Sequence, residues 1–108
     1  MFSKKKRVDK ELFNRIMKEG RVVSSPLFTF RYIGLGGNEL HLAIVAPKAV
    51  AKQATKRNTL RRKGYSILRS FSPNSGAGIF FYKKPALEAK SLEIKEDIGI
   101  LLKKADFI

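Results

Sequence analysis

The first regular pattern of hydrophobic and polar positions in the chain is a helical one, in residues 9–19. Its apolar residues recur at the spacing that places them on one face of an α-helix: Leu12, Phe13, Ile16 and Met17. Asp9 is suited to the N-cap position, and Gly20 to the position just after the last turn. The pattern therefore predicts an amphipathic helix that packs one face on the rest of the fold.

Alternation with a period of two, which is typical of half-buried β-strands, follows this helix. In residues 27–33, aromatic side chains at every second position alternate with Thr29 and Arg31. A turn cluster at residues 34–38 separates this strand from the next, which Pro47 ends. The predicted strands are residues 22–23, 27–33, 40–45 and 79–82.

Two more helices are predicted in the second half of the chain. One runs from just after Pro47 to near Ser70, and its apolar face consists of Leu60, Gly64, Ile67, Leu68 and Phe71. The other runs from about Glu88 or Ser91 to Lys104. The order αβββαβα allows strands 40–45 and 79–82 to pair in parallel across the helix between them. We therefore expect an α+β fold, a single-domain α/β sandwich with three helices on a small mixed sheet of about four strands.

The charge of the chain adds a candidate function to this small fold. The formal net charge is +14 for 108 residues, and no Asp or Glu lies between Glu39 and Glu88. A helix surface normally mixes both signs, because like charges at i,i+4 repel each other. A phosphate backbone is a dense source of the missing negative charge. Nucleic acid is therefore the first expected partner and an anionic membrane the second, while a solvated cationic surface is the alternative without a partner.

The basic helix divides into a docking face and a contact face. Asn58, Arg61, Tyr65 and Arg69 form one stripe at about 100° per residue, with Arg62 beside it. Arginine binds phosphate with two N–H groups and stacks on bases, asparagine can contact phosphate or ribose, and tyrosine offers a stacking plane. Charge alone does not distinguish DNA from RNA. The candidate binding residues are Lys48, Lys52, Lys56, Arg57, Asn58, Arg61, Arg62, Tyr65 and Arg69.

The alternating aromatic residues of strand 27–33 allow two interpretations. Phe28, Phe30 and Tyr32 could stack on single-stranded nucleotides. Aromatic residues on a strand more often belong to the core, however, and we expect core positions for two of these three.

Cysteine is absent from the chain, which excludes disulfides, thiolate catalysis and Cys-ligated zinc and fits a reducing, cytoplasmic environment. No apolar segment follows the basic residues 1–7, so we expect a flexible arm there and not a signal peptide. No run approaches about 18 apolar residues, so no transmembrane helix is expected. An anionic-membrane binder needs a helix with an exposed apolar face, and here that face is needed for the core, so no membrane partner is expected.

Residues 57–62, Arg-Asn-Thr-Leu-Arg-Arg, resemble the Arg-Asn-x-(Ile/Leu)-(Lys/Arg)-Arg motif of the bacterial ribonuclease P protein subunit. Residues 7–13 are similar to the opening helix of that family with its aromatic residue, and residues 18–20 to the Lys-x-Gly that closes it. Residues 79–85 resemble its apolar strand with a basic-basic-proline stop. The resemblance is collinear over nearly the whole chain. It departs from the family pattern at Ala49, Thr59, Gly64 and Tyr65, the last of which stands where another Arg is common.

This resemblance implies a fold and a function. The fold includes an unusual left-handed βαβ crossover, which periodicity alone does not predict. The protein would bind a large catalytic RNA in a holoenzyme that removes the 5′ leader of precursor tRNA, with the Mg²⁺ ions held mainly by the RNA. The chain has no credible nucleophile, general base or metal cage, so we expect the protein alone to be inactive and the catalytic centre to lie in the RNA.

By position, the resemblance assigns Arg57, Asn58, Arg61, Arg62 and Lys52 to the RNA-facing helix and Phe13 to a cleft for the leader. Strand 27–33 adds Phe28, Arg31 and Tyr32 as cleft candidates, and its register is open between Arg31 and Tyr32. The expected partners are ribonuclease P RNA and precursor tRNA, with no obligate protein partner evident. The alternative is a structural RNA-binding protein such as a small ribosomal component, which shares the charge and size but not the collinear pattern.

Overall fold

The computed structural model of the chain describes residues 8–35, 37 and 39–108. The basic arm predicted for residues 1–7 lies outside them. Three helices flank one four-stranded sheet in the predicted order αβββαβα. The elements are α1 (Lys10–Glu19), β1 (Arg21–Ser24), β2 (Phe28–Ile33), β3 (Leu40–Val45), α2 (Ala54–Leu68), β4 (Gly76–Tyr82), a 3-10 turn (Lys84–Leu87) and α3 (Ser91–Lys104).

The sheet is mixed, with the spatial order β1-β2-β4-β3. β2 pairs antiparallel with β1 and with β4, and β3 pairs parallel with β4, so that Phe80 lies between Phe30 and Ile44. α2 connects the two parallel strands, as expected, because a parallel pair needs a long crossover. This order makes β1 and β3 the edge strands.

Strand alternation divides the apolar residues between two cores, one on each face of the sheet. The larger core lies under α2 and α3 and contains Phe28, Phe30 and Phe80, which have no exposed surface. The smaller core lies under α1, where Ile16 packs with Ala77 and Ile79. The expectation that two of the three alternating aromatics are core residues is confirmed for Phe28 and Phe30.

Both ends of α1 follow the sequence prediction. The carboxylate of Asp9 accepts a hydrogen bond from the Leu12 N–H at 2.8 Å, as an N-cap does. Gly20 ends the helix, but its backbone is extended, with φ −69°. Glycine is required there by a close approach, since a Cβ atom would lie 2.3 Å from the Ile16 carbonyl oxygen.

The boundaries of α2 and β4 differ from the predicted ones. Residues 47–53 form a turn and a link before α2, and the Pro47 carbonyl accepts hydrogen bonds from Val50 and Ala51 at 3.0 and 3.1 Å. The side chains of Val50 and Ala51 are buried in the larger core, and this tertiary contact overrides the helix propensity of the segment. β4 begins at Gly76, because pairing with Leu40 of β3 holds the backbone in a strand there. Glycine itself has a low strand propensity, so the sequence pattern did not indicate this start.

Candidate nucleic-acid interface

α2 comes unusually close to the sheet at Gly64. A Cβ atom on this residue would lie 3.0 Å from the Tyr82 hydroxyl oxygen and 3.1 Å from two side-chain carbons of Ile44. The Tyr82 hydroxyl donates a hydrogen bond to the Leu60 carbonyl at 2.8 Å. Leu60, Gly64 and Leu68 are the buried residues of α2. The docking face predicted from the sequence is therefore confirmed at these positions, and glycine is the residue that permits the approach.

Burial raises the pKa of the Tyr82 hydroxyl, because the phenolate would lose its hydration in the core. The hydroxyl therefore stays protonated and remains the donor to α2.

Tyr65 contacts the edge of the sheet. Its hydroxyl oxygen accepts a hydrogen bond from the backbone N–H of Ile44, on the edge strand β3, at 3.1 Å. Its ring is half-buried and packs against the larger core. A buried backbone N–H that lacks a partner costs about 1–3 kcal/mol. The hydroxyl of Tyr65 thus has a structural partner, at a position where the sequence analysis predicted contact with RNA.

Arg57 also has contacts within the protein. Its Nη1 atom donates to the carbonyls of Ala51 and Lys52, at 3.0 and 2.8 Å. Both carbonyls belong to the link that precedes α2. One edge of the guanidinium group therefore shapes this link, and the rest of the group remains available for a phosphate.

Lys48 and Lys52 do not lie on α2. Lys48 is in the turn after Pro47 and Lys52 is in the link, both with exposed side chains. The prediction that Lys52 lies on the RNA-facing helix is therefore wrong, because the helix begins only at Ala54. The two lysines extend the basic surface beyond the N-terminus of α2.

The remaining candidate side chains of α2 and its C-terminal end are exposed. Arg61 donates from Nη2 to the Asn58 side-chain oxygen, which holds the two groups together. In the part of the chain that the structure describes, no carboxylate lies within ion-pair distance of these basic groups. The surface is therefore cationic without internal neutralisation. Its exposed members are Lys56, Asn58, Arg61, Arg62 and Arg69.

The sheet face on the α1 side is only partly covered, because α1 lies mainly against β2 and β4. We call the uncovered part the α1-side face. The Phe81 ring meets the Phe13 ring edge-on, with centroids 6.5 Å apart. Thr29 and Val45 flank Phe81 in the sheet, and Arg31 lies one row further along β2. All the members of this face are half-buried: Phe13, Thr29, Arg31, Ala43, Val45 and Phe81.

The four cleft candidates from the sequence divide between the two faces. Phe13 and Arg31 share the α1-side face. Tyr32 lies on the opposite side, where its ring stacks on Phe30 at 5.5 Å and meets Phe107 edge-on at 5.9 Å. Phe28 has no exposed surface. The prediction that Phe28 lines a cleft is therefore not compatible with its burial. Phe13 shares its face of the sheet with Arg31 and not with Tyr32, so a cleft that contains Phe13 would contain Arg31.

Phe81 is the aromatic member of the α1-side face that the sequence analysis missed. It lies in an uninterrupted apolar run, in which nothing distinguishes one face of a strand from the other. The signal that could have identified it is the alternation of a strand, in which successive side chains point to opposite faces. Phe80 and Tyr82 both point into the larger core, so Phe81 between them points to the α1 side.

Among the described residues, no three His, Asp or Glu side chains are placed so that they could hold a metal ion. No helix in this part of the chain is both long and apolar enough to cross a bilayer.

Together, the fold and the basic helix define a small nucleic-acid-binding protein of the α+β class. The family model described as Ribonuclease P matches residues 2–106, nearly the whole chain. The chain belongs to the ribonuclease P protein family and is thus a protein component of a ribonucleoprotein endoribonuclease in tRNA processing.

Individual relatives agree with this assignment. The ribonuclease P protein component of Synechococcus sp. (strain JA-2-3B'a(2-13)) is 30% identical over 107 residues, which cover 93% of this chain and 80% of that protein. The solved ribonuclease P protein of Thermotoga maritima superposes with a TM-score of 0.81 at 24% identity, over 91% of this chain and 96% of that one. The Staphylococcus aureus protein gives a TM-score of 0.80 at 22% identity, over 93% and 94%. The two structures support the fold.

Proposed function

We propose that this chain binds the RNA subunit of ribonuclease P through α2 and the link before it, and holds the 5′ leader of precursor tRNA on the α1-side face. The observation that carries this proposal is the combination of an acid-free, exposed basic surface on α2 with a rigid attachment of the same helix to the sheet. A phosphate backbone supplies the negative charge that the protein lacks there. Rigid attachment means that little conformational freedom is lost on binding.

The basic residues have different roles in this proposal. Arg61, Arg62 and Arg69 are exposed and bind phosphate directly, together with Asn58. Lys48 and Lys52 extend this contact from the turn and the link. Lys56 is also exposed and contacts RNA from a different side of α2. Arg57 binds with the part of its guanidinium group that the link does not use, and Tyr65 supports the interface from the edge of the sheet.

The α1-side face suits a single-stranded leader. Phe13 and Phe81 offer half-buried aromatic surfaces on which bases can stack, and Arg31 supplies a cation beside them. Stacking is tolerant of sequence because every base has a π-face. Leaders of different sequence should therefore be accepted.

Hydrolysis is assigned to the RNA subunit, together with the Mg²⁺ ions. The described residues of the protein contain no convergent set of carboxylates or histidines that would suit this ion. The protein's contribution is to neutralise phosphate and to position the leader. We place the complex in the cytoplasm, in keeping with the absence of cysteine.

Reconstitution tests the main proposal. The protein is mixed with a bacterial ribonuclease P RNA and a precursor tRNA at low Mg²⁺, and 5′ cleavage is followed against RNA alone and protein alone. We expect stimulation of cleavage by the protein and no cleavage without RNA. Equal rates with and without the protein, for a matching RNA, would refute it, and preferential binding to ribosomal RNA would favour the structural alternative.

A comparison of tRNA with and without the leader tests the α1-side face separately. The ratio of holoenzyme affinities for precursor tRNA and mature tRNA measures the contribution of the leader. Phe81→Ala should reduce this ratio by at least about fivefold, and by up to about 150-fold, since one stacked base contributes about 1–3 kcal/mol. Leu92→Ala, which changes an exposed apolar residue of α3, is the matched control. If a folded Phe81→Ala protein leaves the ratio unchanged, the leader does not bind on the α1-side face.

A further inference from the structure

A groove separates α2 from the 3-10 turn, on the side of α2 away from Arg61. Thr55, Lys56, Thr59 and Lys63 line it from the helix, and Leu87 and Glu88 line it from the turn and the residue after it. Its volume is about 470 Å³, which lies in the range of small-molecule sites and far exceeds the space needed by an ion or one water. Lys63 and the threonines have no role in the function proposed above.

The groove faces a different direction from the β3 side of α2. At about 100° per residue, Lys56 and Lys63 lie roughly 140–160° around the helix from Arg61. The contacts agree with this geometry, because Tyr65 and Arg57 point toward β3 and the link, whereas Lys56 and Lys63 line the groove beside the turn. An RNA segment bound across Arg61 and Arg57 therefore does not reach Lys63.

The chemistry of the groove matches one nucleotide with its flanking phosphates. Lys56 and Lys63 both line the groove and are two helical turns apart, about 10 Å along the axis. In the described part of the chain neither forms an ion pair. Leu87 is 43% exposed and presents an apolar surface on the wall formed by the 3-10 turn. Thr59 donates its hydroxyl proton to the Thr55 carbonyl at 3.0 Å, which leaves the oxygen free to accept from a ribose hydroxyl or a base amino group.

We propose that this groove is a second RNA-binding site, which takes one unstacked nucleotide of an RNA segment other than the segment bound by Arg57 and Arg61. The inference rests on the proposed function in that it requires an RNA partner. Lys56 and Lys63 bind the flanking phosphates, and the base or ribose packs on Leu87. Glu88 lies on the rim and opposes binding by its charge. With both sites filled, α2 lies between two RNA segments.

The first test measures affinity and its salt dependence. Each phosphate contact contributes about 0.7–0.9 to the slope of log K against log salt. Lys63→Ala should therefore lower this slope by about that amount and weaken binding about fourfold to fivefold at ~0.15 M salt. Lys95→Ala removes the same charge from an exposed position of α3 and is the matched control. Leu87→Ala should weaken binding on the order of threefold with the slope unchanged, and Glu88→Gln should tighten it about twofold.

Two arms identify the source of the RNA. Binding to the catalytic RNA alone is measured first, and binding of precursor tRNA to the assembled holoenzyme second. If Lys63→Ala weakens binding to the catalytic RNA alone, a segment of that RNA occupies the groove. If Lys63→Ala weakens only the binding of precursor tRNA to the holoenzyme, the substrate occupies it. If Lys63→Ala matches Lys95→Ala in both arms while Arg61→Ala weakens binding, the groove proposal is overturned and the proposed function stands. If the wild-type protein binds neither RNA, both fail.

Crosslinking provides a measurement that does not depend on affinity. Because the chain has no cysteine, Thr59→Cys introduces a single thiol in the groove, to which a photoreactive group can be attached. We expect crosslinks to an RNA position different from the positions reached from an Arg61→Cys variant, because Thr59 and Arg61 lie about 160° apart around α2. The same label at Lys95→Cys should crosslink weakly. Identical crosslink positions from Thr59→Cys and Arg61→Cys would refute a separate segment.

Discussion

Arg57 and Arg61 carry the same charge four residues apart, and the structure gives them different neighbours. Arg57→Ala removes two hydrogen bonds to the link before α2, one to the part-buried carbonyl of Ala51 and one to the exposed carbonyl of Lys52. Water can replace the second bond but only partly the first. A net loss of about 1–2 kcal/mol in the free energy of unfolding is therefore expected.

The corresponding shift in Tm is measurable. For a domain of this size, 1 kcal/mol changes Tm by about 4–8 °C. Arg57→Ala should therefore lower Tm by about 4–16 °C. Arg61→Ala removes an exposed side chain that donates a hydrogen bond to the exposed Asn58 side chain, so its effect on stability should stay within about 0.5 kcal/mol. Thermal unfolding followed by circular dichroism, without RNA, compares the two variants directly.

RNA binding gives the second readout. Both substitutions should weaken RNA binding and lower the salt slope by about one unit per lost phosphate contact. Arg57→Lys keeps the charge but loses the planar fork, so it should restore most of the slope without restoring all of the Tm. Equal Tm values for Arg57→Ala and Arg61→Ala would refute the anchoring of the link. Unchanged affinity and slope in both would show that α2 does not face RNA.

Three further substitutions test two contacts of α2 with the sheet and the backbone conformation just after α3. Tyr65→Phe leaves the Ile44 N–H without its partner, so it should lower stability by about 1 kcal/mol in urea unfolding while the salt slope of RNA binding stays the same. Gly64→Leu inserts a side chain where a Cβ alone already meets Tyr82 and Ile44, and should cost about 3 kcal/mol in the same assay. Asp106→Gly should raise stability by about 1 kcal/mol, because Asp106 has φ 60° and places a negative charge at the C-terminus of α3.

Each of these has a result that contradicts it. A Tyr65→Phe protein as stable as the wild type, but with weakened RNA binding, would return Tyr65 to the role of a direct RNA contact. A Gly64→Leu protein of normal stability would mean that α2 can move away from the sheet. A less stable Asp106→Gly variant would indicate that the Asp106 side chain contributes more than its backbone strain costs.

Local patterns predicted the helices and strands in their order. The 3.6-residue period identified α1 and α3, and the alternation of β2 assigned Phe28 and Phe30 to one side and Arg31 to the other. These patterns depend on neighbours within one or two turns, so they can be read without the fold. The beginning of α2 could not be predicted in this way. It is decided by the burial of Val50 and Ala51 and by the contact of Arg57 with their link.

By itself, the sequence of this protein determined the element order, the docking face of α2 and the presence of an unneutralised basic surface, because these follow from periodicity and charge. Tertiary structure alone decided which basic and aromatic residues remain available for RNA. Tyr65 is bonded to a strand residue 21 positions away, and Tyr82 to a helix carbonyl 22 positions away. Phe81 joins Phe13 only because β4 lies inside the sheet beneath α1. Such pairings depend on how separate elements pack in space, which no local period encodes.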